Sequence, residues 1–203
     1  MTRQRSGTGW ALLAGVCLFG APVMAAEPVH VRGTITTVDG SHVTIATTEG
    51  KTVALTLGDD WKLGGVLPAA LADIKPGSFI GTANVEGADG NEALEVVVFP
   101  EALRGSGEGD RGWDLKPKSS MTNATVAEKV EGVSGPTVTL KYKGGEKKVS
   151  IPPSTPIVTI VPATASDLKA GAKVFVVGAL SSDGGTLTSG RLVVGENGTT
   201  PPM

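Results

Sequence analysis

An internal duplication limits the fold of this chain more than any other sequence feature. After about residue 26, two stretches share Pro, Ala, Asp, Lys and Gly at one constant offset, and an Asp-Gly pair follows at the same offset in each copy. Because there are only two copies, we predict paired domains rather than a solenoid. The matching segments are Val66–Gly77 with Ile160–Gly171, Asp89-Gly90 with Asp183-Gly184, Val31-Arg32-Gly33 with Val130-Glu131-Gly132, and His42–Ile45 with Thr137–Leu140.

Each copy shows the alternation of a half-buried β-strand. Val43 and Ile45 alternate with Thr44 and Ala46, and the Asp-Gly turn before them is a strong hairpin signal. An alanine-rich stretch between the third and fourth strands is long enough for one or two helical turns. The predicted strands are His30–Val38, His42–Thr47, Thr52–Leu57, Ser78–Val85 and Glu92–Phe99 in copy one, and Val126–Val133, Thr137–Tyr142, Lys147–Ile151, Lys173–Leu180 and Thr186–Val194 in copy two.

Five strands with a short helix or turn after the third is the order of the OB-fold, a small Greek-key barrel. We therefore predict an all-β protein of two tandem five-stranded OB-like barrels, with an SH3-like barrel or an open meander as alternatives. The predicted organisation is a signal peptide at 1–26, repeat 1 at 27–103, a Gly-rich bridge at 104–125, repeat 2 at 126–195 and a flexible tail at 196–203.

The first 26 residues match a secretory signal peptide. Arg3 and Arg5 form the positive start, Trp10–Gly20 is the apolar run, and small residues end at Ala25 and Ala26, where we expect cleavage. The apolar run is too short to span a bilayer. The predicted location is the periplasm or the exterior of the cell.

Composition removes several function classes from the predicted mature chain. Cys17, the single cysteine, lies in the signal segment, which excludes thiol catalysis, disulfides and cysteine zinc sites. Without Arg3 and Arg5, 16 basic residues face 20 acidic ones, a net charge of −4 that suits neither nucleic acid nor anionic lipid. No other segment is long and apolar enough for a membrane span. No nucleophile–base pair can be named, so we predict no enzymatic activity.

The bridge contains the least ordinary residues of the chain. Glu108, Asp110 and Asp114 lie among four glycines, and carboxylate oxygens in such a loop could bind a divalent cation such as Ca²⁺. The spacing completes neither an EF-hand nor a phosphate-binding loop. We favour a solvated linker whose Trp113 docks on a flanking domain, with the cation site as the alternative. Trp113, Arg104 and Trp61 are the candidate interaction residues, and no cofactor is predicted.

Several short motifs together resemble a family of exported bacterial proteins with tandem β-rich domains of unknown function, often labelled metal ABC transporter permeases. The similarity covers nearly all of the predicted mature chain. The label conflicts with the sequence, because a permease needs several membrane helices. The motifs are Asp73–Gly77, Phe99–Gly105, Gly107-Glu108-Gly109, Trp113-Asp114-Leu115 and Ser120–Val126.

These observations together predict an exported, non-enzymatic binding or interaction module. Duplication without catalytic residues and the edge strands of small barrels favour a partner that is another envelope protein or a glycan. The alternative is an accessory protein for metal handling or transport that uses Glu108, Asp110 and Asp114.

Overall fold

A computed structural model describes residues 29–59, 61–88, 90–180 and 186–202. The protein is all-β in these residues, and its helical segments are single 3₁₀ turns. The strands are β1 (Val29–Asp39), β2 (His42–Thr47), β3 (Thr52–Thr56), β4 (Lys62–Pro68), β5 (Phe79–Gly87), β6 (Gly90–Val98), β7 (Gly109–Gly112), β8 (Ser119–Val130), β9 (Thr137–Tyr142), β10 (Gly145–Ser150), β11 (Ile157–Val161), β12 (Lys173–Leu180) and β13 (Thr186–Gly195).

Hydrogen bonding between strands produces two closed rings. Ring one runs from β1 through β2, β3, β13 and β12 back to β1. Ring two runs from β8 through β9, β10, β6 and β5 back to β8. In both rings the closing pair, β3–β13 or β10–β6, is parallel, and the other pairs are antiparallel.

Each ring combines strands from the two sequence copies. Ring one takes its first three strands from copy one and its last two from copy two, and ring two does the reverse. Two tandem OB-like barrels, one per copy, are therefore not confirmed. The chain exchanges the last two strands of its repeats within one molecule. Val66 and Ile160, which are equivalent in the sequence repeat, lie opposite each other in the antiparallel pair β4–β11.

The pairing defines which residues of the two rings are equivalent. Both first strands have a register shift before their hairpin, between Ile35 and Thr37 in β1 and between Val126 and Glu128 in β8. Ile35 N–H donates to Ala172 C=O, and Val126 N–H donates to Ser78 C=O in the same way. Ile35 and Val126 are each 1% exposed. Ring one and ring two are thus two versions of one arrangement.

Strands β4 and β11 join the rings into one sheet path. β4 pairs with β13 of ring one and with β11, and β11 pairs with β6 of ring two. Each ring also encloses an apolar cluster, and Val43 and Ile45, which alternation places on the buried face, are at most 1% exposed. Burial of one valine contributes roughly 1.5–3 kcal/mol. A third cluster lies between the rings and contains Val66, Val97, Val158 and Val193.

The helical stretch predicted between the third and fourth strands is shorter than expected and follows an additional strand. It is the 3₁₀ turn Leu71–Asp73 in copy one and Ala165–Asp167 in copy two. The Asp73 carboxylate accepts the Ala70 N–H at 2.8 Å, and the Asp167 carboxylate accepts the Thr164 N–H at 2.7 Å. The recurrence of this aspartate in both copies therefore reflects capping of a turn.

The ends of the predicted segments differ from the structure. Residues 104–125, expected as a bridge, include β7 and the first half of β8, which pair with each other. The tail expected to be flexible packs on the protein, because Pro201 and Pro202 are buried and Lys173 Nζ donates to Thr200 Oγ1 at 2.9 Å. The predicted signal peptide, Asp60, Asp89 and the Asp183-Gly184 turn lie outside the described residues. Within the described residues, no helix has the length and apolarity that a membrane crossing requires.

Candidate functional site

Trp113 of the bridge packs on the outer face of ring one. In β1, His30 and Arg32 point away from the core because they alternate with the buried Val31. The Trp113 ring lies 4.4 Å from the His30 ring and 6.3 Å from the Phe175 ring, measured between centroids. The Arg32 guanidinium lies 5.1 Å from the Phe175 ring centroid. We call His30, Arg32, Trp113, Asp114 and Phe175 the Trp113 cluster.

Asp114 supplies the charged part of this cluster. Arg32 donates to both oxygens of its carboxylate, with Nη2–Oδ1 at 2.8 Å and Nη1–Oδ2 at 3.2 Å, and His30 Nδ1 lies 3.1 Å from Oδ1. Partial burial alone would raise the pKa of Asp114, but the hydrogen bonds from Arg32 and His30 outweigh it and lower the pKa from 3.8 to about 2. The two-point contact fixes the orientation of the bridge on β1.

Acidification is expected to release Trp113 from ring one between about pH 4 and pH 2. The pKa of Asp114 is lower in the folded protein than in the unfolded chain, so its stabilising effect is complete above pH 4 and is lost as the pH falls towards 2. The Asp114 side chain is 49% exposed, so we expect the contribution to be about 1 kcal/mol after solvent screening. Tryptophan emission should shift to longer wavelength over this pH range.

Two variants make this acid prediction specific. Asp114→Asn should show the shifted emission already at neutral pH, with little further change on acidification. Trp113→Phe leaves the buried Trp61 as the reporter in the described part of the chain and so gives the background from global unfolding. An Asp114→Asn protein with the wild-type pH profile would contradict the assigned role of the carboxylate.

Asp110 lies at the end of ring two where β7 pairs with β8, and we call this end the mouth of the ring. Its hydrogen-bond partners differ from those of Asp114. Its carboxylate accepts hydrogen bonds from Thr122 Oγ1 at 2.6 Å and from Lys147 Nζ at 2.7 Å. Lys147 Nζ also lies 2.9 Å from Ser120 Oγ and 3.5 Å from Asn84 Oδ1. Burial raises the pKa of Asp110, and the hydrogen bonds from Lys147 and Thr122 lower it by more, so its pKa is below the ordinary value.

The three carboxylates considered as cation ligands have separate partners. Glu108 accepts the Lys143 backbone N–H at 3.0 Å, while Asp110 pairs with Lys147 and Asp114 pairs with Arg32. Among the residues that the structure describes, no three His, Cys, Asp or Glu side chains form a group that could hold a metal ion. The structure therefore does not bring Glu108, Asp110 and Asp114 together as one ligand set.

The other candidate interaction residues have structural surroundings. Arg104 Nη2 donates to Glu101 Oε2 at 2.7 Å and to Gly77 C=O at 2.8 Å, which ties the start of the bridge to the turn before β5. Trp61, expected as an interaction residue, is 7% exposed and lies in the core of ring one. His42 Nδ1 lies 3.0 Å from Thr56 Oγ1 on the neighbouring strand. Trp113, the third interaction candidate, lines a pocket.

A shallow pocket of about 650 Å³ lies where the bridge meets β1. Residue order alone did not point to it, because His30 and Arg32 are 80 or more positions from Asp114 in the sequence. The available signal was the two-residue spacing of His30 and Arg32, which places both on one strand face. The pocket is lined by Val29, His30, Gly112, Trp113 and Asp114.

Comparison of the chain with protein-family models, with curated proteins and with solved structures gives no match. The resemblance to exported tandem-domain proteins stays a prediction, and the pocket is interpreted from its own geometry.

Proposed function

We propose that the protein is an exported, non-enzymatic interaction module of the bacterial cell envelope whose partner is another envelope protein. The observation that supports this proposal is the open pocket between the bridge and the first strand of ring one, which combines an aromatic ring, a histidine and a carboxylate with one valine and one glycine. Aromatic and charged groups together at a concave surface are typical of recognition sites.

The charges at the pocket favour recognition over catalysis. Asp114 is held by Arg32 and His30, and a carboxylate with a lowered pKa is a poor proton acceptor near neutral pH. Lys147 and Asp110 at ring two neutralise each other in the same way. These groups hold the bridge in place, so the bridge presents the rim of the pocket as a preorganised surface. Export is inferred from the signal-like sequence at 1–26.

Photo-crosslinking in intact cells tests this proposal. A photoreactive residue replaces Gly112, because a side chain built there meets no atom within 4 Å. The matched control carries the same group at Lys51, whose side chain is 75% exposed in the β2–β3 turn. We expect a product of defined mass from Gly112 and none from Lys51. Protease treatment of that product distinguishes a protein partner from a glycan partner. Equal crosslinking patterns at Gly112 and Lys51 would contradict the proposal.

A further inference from the structure

The two rings differ at one edge, and the difference concerns the strand β7. In ring two, β7 pairs with the part of β8 that precedes the β8–β9 hairpin, with Asp110 opposite Thr122 and Gly112 opposite Ser120. In ring one, the equivalent part of β1 pairs with β12 on one side. On its other side, none of the described strands pairs with Val29, His30 or Val31.

Backbone groups at this edge point outward. Thr48 N–H donates to Arg32 C=O at 2.8 Å, so Arg32 directs its carbonyl to the side opposite β12. In an antiparallel strand, residues two apart direct their N–H and C=O to the same side. His30 therefore presents both groups to the open side, next to the pocket that Val29, Gly112 and Trp113 line. This is the geometry that strand addition requires.

The side chains at the two ring mouths have opposite character. Ring two has Ser120, Thr122 and Lys147, and Asp110 from β7 binds two of them directly. The pairing partners identify the equivalent residues of ring one. Val31 is equivalent to Thr122, because Val31 pairs with Val176 and Thr122 pairs with Thr82. Val29 is equivalent to Ser120, because Val29 pairs with Gly178 and Ser120 pairs with Asn84. Val53 is equivalent to Lys147, because Val53 pairs with Ile45 and Lys147 pairs with Leu140.

The ring-one mouth is therefore made of three valines. Val31 is buried in the ring-one core, and Val29 and Val53 are partly buried and pack against that core. A strand that added here would direct one side chain at Val31 and Val53, in the position where β7 directs Asp110 at Thr122 and Lys147. An apolar side chain at this position would bury against the valines, whereas a carboxylate would lose its hydration without a partner.

We propose that the edge of β1 at Val29–Val31 is a strand-addition site for an extended segment of a partner protein, with an apolar side chain opposite Val31. This inference rests on the proposed interaction function and specifies where and how the partner binds. The main-chain hydrogen bonds would come from His30, and the specificity from the valine mouth.

Two synthetic peptides test the site. One has the sequence Gly107–Trp113, which contains the strand that ring two uses on the equivalent edge, and the other has the same sequence with Asp110→Val. We expect the Asp110→Val peptide to bind the mature protein at least about tenfold more tightly, because a buried valine replaces an unpaired carboxylate. NMR titration of ¹⁵N-labelled protein should show saturable shifts at Val29–Val31 and Val53.

Variants of the protein make the assignment specific. Val53→Lys puts a lysine where ring two has Lys147, and it should reverse the preference so that the unchanged peptide binds more tightly. His30→Pro removes the outward N–H, whereas the control His30→Ala keeps it, and a strand edge tolerates proline where the N–H faces outward. We expect His30→Pro to weaken binding at least about tenfold relative to His30→Ala.

The outcomes separate the two proposals. Absence of saturable binding by either peptide, or shifts confined to another surface, overturns strand addition. If the Gly112 crosslink persists in that case, the interaction function stands and its partner binds elsewhere on the pocket. If the crosslink is also absent, both proposals fail. Concentration-dependent self-association that His30→Pro abolishes would overturn a separate partner, because a second copy of the chain would then occupy the edge.

Discussion

Cutting the chain in the turn between β7 and β8 is expected to leave both fragments in one particle. Lys116, Pro117 and Lys118 are exposed there, so a protease recognition sequence inserted after Pro117 is accessible. Each ring takes strands from both sides of the cut, and separation would break the pairings β1–β12, β3–β13, β5–β8 and β6–β10 together. Obligate interfaces of this kind bury more than about 2,000 Å².

The measurement is size-exclusion chromatography with light scattering before and after cleavage. We expect the cut protein to elute with the mass of the uncut insertion variant and to separate into two fragments in concentrated guanidinium chloride. A Kd in the nanomolar range or below, about −12 kcal/mol, keeps the fragments together on the column. Two tandem independent domains would separate without denaturant, so two peaks in native buffer would contradict the strand exchange.

The reason that the exchange could not be predicted is that periodicity specifies the face of a strand and not its partner. Val43 and Ile45 lie on the buried face of β2 as alternation predicts, and the Asp39-Gly40 hairpin is present. Because both copies have the same pattern, the last two strands of either copy could pair with the first three strands of either copy. The choice depends on β4 and β11, which carry the chain from one ring to the other.

Strand β4 was missed for a local reason. The sequence predicts no strand there, because Gly64 and Gly65 have low strand propensity. In the structure a Cβ at Gly65 would lie 2.7 Å from Glu196 Oε1 and 3.0 Å from Val161 Cγ2, so the glycine permits close approach of the C-terminal turn and β11. The sequence alone therefore does not show whether such a glycine interrupts a strand or allows a neighbouring element to pack closely on it.

The alignment of the first strands was displaced by a short chance match. The sequence aligns Val31-Arg32-Gly33 with Val130-Glu131-Gly132, whereas the structure makes Ile35 equivalent to Val126 and therefore Val31 equivalent to Thr122. This correction matters for the site. It is the comparison of Val31 with Thr122 that shows an apolar mouth in ring one and a polar mouth in ring two.

The candidate site was predictable only in part. Docking of Trp113 on a neighbouring unit was expected from a tryptophan in a Gly-rich segment, and its ring does pack on His30 and Phe175. The partners of the bridge carboxylates were not predictable, because Arg32 and Asp114 are 82 residues apart and Asp110 and Lys147 are 37 apart. Pairing with these cations depends on tertiary contacts that no local pattern contains.

Gly135→Ala is expected to destabilise the protein by about 3 kcal/mol or more, because strain and steric overlap add. Gly135 has φ of +103°, which alanine adopts at a cost, and a Cβ there would overlap the Ile151 carbonyl oxygen. Ile151 is 1% exposed in the ring-two core, and its N–H donates to Pro136 C=O at 2.8 Å. The overlap can be relieved only if the connection between β8 and β9 and the ring-two core around Ile151 both shift. A closely packed interior resists such a shift.

Gly144→Ala is the matched control, since Gly144 has φ of +102° and a Cβ there meets no atom within 4 Å. The control has the strain without the overlap, and we expect it to cost about 1–2 kcal/mol. Thermal unfolding should therefore place Gly135→Ala roughly 2–8 °C below Gly144→Ala, at about 2–4 °C per kcal/mol for a chain of this size. Equal midpoints would mean that the Gly135 turn does not contact Ile151, and the closure of ring two at this end would have to be revised.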